Sequence, residues 1–301
     1  MVRLHTLAPV VVSLCLLLSP TISLGGVAYS AFSQGRWRIY YQADLTSMPR
    51  LVASAIMADS TAPALAPKAA EVAFEVQSQG LYRCPLHAEA SCHHIVPPQG
   101  MAVRPVWHPL TGELIFVNYV VSKGHEDSDL LITRGVLQET GPLLTQTGNQ
   151  DDPDVSPDGR LLAYTSAQTI SLYRSAVQVV QHLWIMHLET GVARQLVAGS
   201  GQDIHPDWSP SGNAIAFASN RTGQFEIWTV NSDGRHLQQL TSGPGAKTWP
   251  GWSPDGTAIM FTWTRNGRQQ LGLVNVDGTQ VRPFEPFGPN VDIELRDADW
   301  R

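Results

Sequence analysis

From residue 26 onward the chain alternates short apolar segments with clusters of Pro, Gly, Asp, Ser and Asn. The stretch "HPDWSPSGNAIAFASNRTGQFEIWTVNSDGRHLQQLT", residues 205–241, shows the pattern most clearly. It reads as a strand "HPDWS", a turn "PSG", a second strand "NAIAFAS", a loop "NRTGQ" and a third strand "FEIWTV". The turn "NSDGRH" and a fourth strand "LQQLT" complete the unit. Elsewhere the first turn is spelled "SPDG", at 156–159 and 253–256. There Pro presets φ, Asp accepts local backbone hydrogen bonds, and Gly takes the left-handed position that closes a hairpin. Most acids in "DDPDVSPDGR", residues 151–160, therefore read as turn formers, with Asp158 and Asp255 the clearest cases.

The same unit recurs along the chain. "DDPDVSPDGRLLAYTS" at 151–166 and "WPGWSPDGTAIMFTW" at 249–263 are close copies. "RPVWHPLTGELIFVN" at 104–118 and "APALAPKAAEVAFEV" at 62–76 are weaker ones. The first prolines are Pro63, Pro105, Pro153, Pro206 and Pro250. An aromatic ends the following apolar segment at Phe74, Phe116, Tyr164, Phe217 and Phe261, and Tyr29 fits as a sixth. Spacings of 42 to 53 residues between these aromatics, with four short strands per unit, predict the blades of a β-propeller.

The repeat "P-x-W-S-P-D-G-x-x-[IL]-[AM]-[FY]" resembles that of the TolB-type, WD-like propellers. The resemblance covers nearly all of residues 26–301 and implies an all-β, six-bladed ring of four-stranded antiparallel blades. The blades are expected at about 26–55 plus 294–301, 56–98, 99–145, 146–198, 199–242 and 243–290. The first unit begins at what should be its second strand, while Ala298, Asp299 and Trp300 match Pro206, Asp207 and Trp208. The last residues are thus expected to complete the first blade and remove an exposed edge. No room is left for the extra N-terminal domain of TolB itself.

Composition narrows the function. A net charge of −6, with no Lys/Arg cluster, argues against nucleic acid or anionic lipid as a partner. Arg3, an apolar core from Leu7 to Leu18, then Pro20 and small residues have the order of a secretory signal, with cleavage near Gly25 or Gly26. The alternative is an uncleaved N-terminal anchor; either way an exported, periplasmic or extracellular monomer is expected. Cys84 and Cys92 flank a short polar loop, so export predicts a disulfide between them. A zinc site built from them with His87, His93 and His94 is the rival, but adjacent His93 and His94 would point to opposite faces of a strand.

Propeller geometry puts the "SPDG" turns on one face and the loops between second and third strands on the other. Residues preceding each motif Pro should ring the channel mouth on that second face: Ala62, Arg104, Asp152, His205, Trp249 and Asp297. Asp151, Asp203, Lys247 and Arg296 are expected close by. Two longer loops, "YVVSKGHEDSDL" at 119–130 and "TSAQTISLYRSAVQVVQ" at 165–181, should overhang them. Asp152, His205 and Asp297 form either a funnel for a ligand or divalent cation, or a solvated mouth with local pairs such as Arg104 with Asp152. Trp107, Trp208, Trp252 and Trp300 share one repeat position and should pack between blades, while Trp249 is placed to stack on a ligand.

No G-x-S-x-G elbow occurs, and "GPGAKT" has Ala246 where a phosphate loop needs Gly. The expectation is a non-catalytic propeller with no cofactor, unless a divalent cation sits at the mouth. It would bind a protein, peptide or glycan through the ring Arg104, Asp152, His205, Trp249 and Asp297. The alternative is a metal-assisted lyase or lactonase acting at the mouth.

Overall fold

The computed structural model describes residues 26–67, 71–86, 92–122, 125–134, 139–144, 148–171, 177–288, 291 and 293–301. The expected export segment lies outside them, as does His87. They form six four-stranded antiparallel sheets. The inner strands are Leu295–Trp300 in blade 1, Ser60–Leu65 in blade 2, Met101–Trp107 in blade 3, Gln150–Val155 in blade 4, Asp203–Trp208 in blade 5 and Ala246–Trp252 in blade 6. Each inner strand touches the next, and the blade 6 strand touches that of blade 1, which closes the ring. No helix among the described residues is long and apolar enough to cross a membrane.

Blade 1 is assembled from distant parts of the sequence, as expected. Leu295–Trp300 lies antiparallel on Val27–Ser33, with Val27 opposite Trp300 and Ala31 opposite Leu295. The Arg301 N–H donates to Gly26 O at 2.9 Å. The bond repeats in other blades, where Ser156 donates to Leu161 and Ser209 to Ala214, each at 2.8 Å. Arg301 thus occupies the place of the turn serine.

Six apolar clusters hold the blades together, one at each interface. The repeated aromatics Tyr29, Phe74, Phe116, Tyr164, Phe217 and Phe261 are fully buried in them, each facing the preceding blade. Burying one such ring contributes about 2–3 kcal/mol, so the period in the sequence is the period of interface anchors. Trp107, Trp208, Trp252 and Trp300 are buried in four of these interfaces. Trp107 Nε1 donates to Ala64 O at 2.9 Å and Trp252 Nε1 to Asp207 O at 3.1 Å, both across a blade boundary.

The two expected loops are largely β-structure. Leu114–Ser122 and His125–Arg134 pair out to Ser122 opposite His125, and Leu161–Ser171 pairs with Val177–His187 out to Ser171 opposite Val177. Residues such as Tyr119, Val120 and Val121 have high strand propensity, so pairing continues where a loop was expected. Cys84 and Cys92 are joined by a disulfide, with Cα atoms 4.4 Å apart.

Candidate functional site at the channel mouth

Every inner strand carries a register shift of the bulge type next to its motif Pro or, in blade 1, Ala298. The residue before it is left-handed in all six blades: Ala62 at φ 49°, Arg104 at 51°, Asp152 at 49°, His205 at 54°, Trp249 at 53° and Asp297 at 51°. A left-handed residue interrupts side-chain alternation and re-aims one side chain. All six line one end of the central cavity, which measures about 100 Å³. The ring expected from sequence is therefore assembled as a ring.

Its charges are mostly spent on one another. The Arg104 guanidinium pairs with Asp152 and lies 3.2 Å from an Asp151 oxygen. The Arg104 N–H donates to Glu75 Oε1 at 2.7 Å. Asp152 also accepts the His205 N–H at 3.2 Å. Burial opposes the charge on Asp152, but Arg104 and His205 together hold its carboxyl below the ordinary range. The His205 ring stacks on Trp249, centroids 3.7 Å apart, and the Arg104 guanidinium lies 5.6 Å from the Trp249 ring centroid. Burial lowers the His205 imidazole to about 4 against the pull of Asp152, so it is neutral near neutral pH and a weak base. Burial raises Asp151 to about 6, helped by Asp152, and raises Asp297 to about 6 against the pull of Arg296.

Asp203 and Lys247 do not belong to the mouth. Asp203 is fully buried against Arg221 at 2.6 Å and His182 at 3.5 Å. Lys247 is fully buried on Glu226 at 3.1 Å. Both bridge neighbouring blades, because an ion pair with further hydrogen bonds is the form in which a charge is tolerated inside. Arg296 is near the ring, 3.1 Å from Asp297 and stacked over Trp37 at 4.1 Å. Among the described residues no three His, Cys, Asp or Glu side chains group as a metal site requires. The place a divalent cation would take beside Asp151 and Asp152 is held by the Arg104 guanidinium.

The sequence reading missed a second layer below the mouth. Asp299 accepts the Leu65 N–H at 2.5 Å, Asp154 that of Trp208 at 2.6 Å, and Asp207 that of Trp252 at 2.7 Å. An inner strand is the edge of its sheet, so its channel-side N–H groups lack ladder partners; these carboxylates, each from the preceding blade, supply them. The three converge on Arg301, at 3.0 Å from Asp299, 3.4 Å from Asp154 and 4.0 Å from Asp207. Of the acids in "DDPDVSPDGR", only Asp158 is a turn former, accepting from the Ser156 hydroxyl at 2.6 Å and the Arg160 N–H at 3.1 Å. The Pro-Asp pairs at 153–154 and 206–207, matched by Ala298 and Asp299, were the visible signal.

Comparison with known proteins agrees with this geometry. Residues 169–289 match the PD40 family model, described as the TolB beta propeller domain. Residues 169–289 are thus similar to the TolB beta propeller domain. TolB from Acinetobacter baumannii superposes with a TM-score of 0.74 at 16% identity, covering 92% of this chain and 66% of that one. A TolB candidate from Agrobacterium tumefaciens gives 0.66 at 19% identity, covering 90% of this chain and 97% of that one. At these identities the likeness is one of fold. An uncharacterised protein of Agrobacterium fabrum is 37% identical over 79 residues, 26% of this chain but 24% of that protein. The match thus spans about a quarter of that relative's length, so this chain shares with it a segment rather than a whole.

Proposed function

We propose that this chain is an exported, non-catalytic binding propeller that takes a protein, peptide or glycan ligand at the channel mouth. The observation that carries the reading is the choice of residues in the left-handed ring. A non-Gly residue there costs about 1 kcal/mol, and Gly would be cheapest. The chain instead places Arg104, Asp152, His205, Trp249 and Asp297 at five of the six positions. Strain retained in order to present particular side chains is characteristic of binding surfaces. The His205–Trp249 stack offers a flat apolar plate, and Arg104, Asp151 and Arg296 supply donors and acceptors around it. An imidazole near 4 and carboxylates already paired with guanidinium groups favour recognition over acid–base chemistry. The basic-then-apolar start supports export.

The test begins with peptide and glycan arrays probed with the purified chain, followed by the double variant H205G/W249G. Glycine relieves the left-handed strain, so the fold should persist while the plate is deleted. Affinity for the array ligand should fall at least tenfold, about 1.4 kcal/mol, with an unchanged melting temperature. Undiminished affinity would remove the mouth as the binding site.

A further inference from the structure

The opposite end of the channel holds a larger cavity, of about 280 Å³. Its wall contains the indoles of Trp107, Trp208, Trp252 and Trp300, and its rim the prolines of the first turns, such as Pro109 and Pro210. Interface packing alone does not account for four indoles. Leu65 and Val155 fill the same repeat position in blades 2 and 4, also line the cavity, and are equally buried. Trp208 adds a second pointer: it is 2% exposed, it lines this cavity, and its indole N–H has no acceptor in the protein.

The floor is the layer of Asp207, Asp299 and Arg301, which this cavity shares with the mouth cavity above it. With Asp154 it sets three carboxylates against one guanidinium. Burial pushes Asp207 well above the ordinary carboxylate range, with Asp154 adding to it, and pushes Asp154 itself up to about 6. Burial is the main cause, so these carboxyl groups hold their protons more readily than free ones and a cation brought beside them would restore the ionised form. Aromatic walls above such a floor favour one kind of guest. Indole faces attract cations and cover apolar bodies, and three carboxyl groups gathered around a single guanidinium select a cationic guest.

We propose that this turn-side cavity is a second ligand site, for an organic ammonium ion with an apolar body. The ammonium descends towards Asp207 and Asp299, and the hydrocarbon or aromatic body is held by the indoles. The site is on the far side of the ionic layer from the mouth, so it stands or falls independently of the ligand proposed there.

Phenethylammonium is a suitable probe for the whole chain, with 2-phenylethanol and phenylacetate as its neutral and anionic counterparts. Titration is followed by tryptophan fluorescence and calorimetry. The ammonium should bind at least tenfold more tightly than either counterpart. D207N, which keeps an acceptor for the Trp252 N–H, should weaken it about tenfold, and W249G at the mouth should leave it unchanged. If D207N does not fold, W252L serves instead, since it copies the aliphatic found in blade 2; it too should lower the affinity. Equal binding of ammonium and alcohol, no saturation up to about 10 mM, or loss of binding in W249G would each overturn the proposal.

Discussion

Ala62 isolates the cost of the left-handed ring, because it adopts φ 49° with only a methyl group to show for it. Replacing it with Gly removes about 1 kcal/mol of steric strain. Glycine's greater backbone entropy takes back about 0.5–1 kcal/mol. A62G should therefore be neutral or slightly stabilising in a urea titration. Ala73 is fully buried in an ordinary strand one hairpin away, and A73G should cost about 1–2 kcal/mol. Equal losses in the two variants would mean that Ala62 is not strained. Among the acids, the role of Asp158 could be read from the sequence because its partners are within two residues. Asp154 could not be read that way. It meets Trp208 at a separation of 54 residues and Arg301 at 147, and no local pattern reports such a pairing.

At the scale of elements, ring closure was visible in the self-similarity of the chain: "DADW" repeats "HPDW", and the first repeat lacks that strand. The paired Leu295–Trp300 and Val27–Ser33 satisfy each other's backbone groups and bury Leu295 and Trp300 against blade 6. Deleting 295–301 would strip Val27–Ser33 of that partner and remove Asp299 from Leu65. An exposed strand edge templates association. The truncated chain should lose its single cooperative melt and form concentration-dependent oligomers in light scattering. A truncated form that stays monomeric and melts like the intact chain would contradict closure by this strand. The extent of the blade 3 and blade 4 hairpins was harder to read. Ser, Gln and Asp along them resemble loop composition, and only the partner strand turns that composition into a ladder.

For the whole molecule, the acidic channel predicts how stability depends on pH. Asp151, Asp154 and Asp297 rise to about 6 on folding, principally through burial. Between about pH 4 and 6 they make the folded chain bind more protons than the unfolded one, so stability falls as pH rises through that window. His205 falls to about 4 on folding, again through burial, and acts in the opposite sense over the same window. Three carboxylates outweigh one imidazole. The urea midpoint should accordingly be higher near pH 5 than near pH 7, and H205Q should enlarge the difference. A midpoint that drops between pH 7 and pH 5 would show that these carboxylates are ionised in the folded chain over that range.

Sequence alone determined the period, the aromatic anchors, the turn chemistry, the number of blades and the residues that head each inner strand. Those features are repeated and local, and each copy corroborates the others. Tertiary structure decided which charges meet. It sent Asp203 and Lys247 into blade interfaces, placed Arg104 on Asp152, and gathered Asp154, Asp207 and Asp299 around Arg301. Electrostatic partners are chosen by proximity and desolvation, and in a closed ring both depend on how residues remote in the chain are brought to one axis.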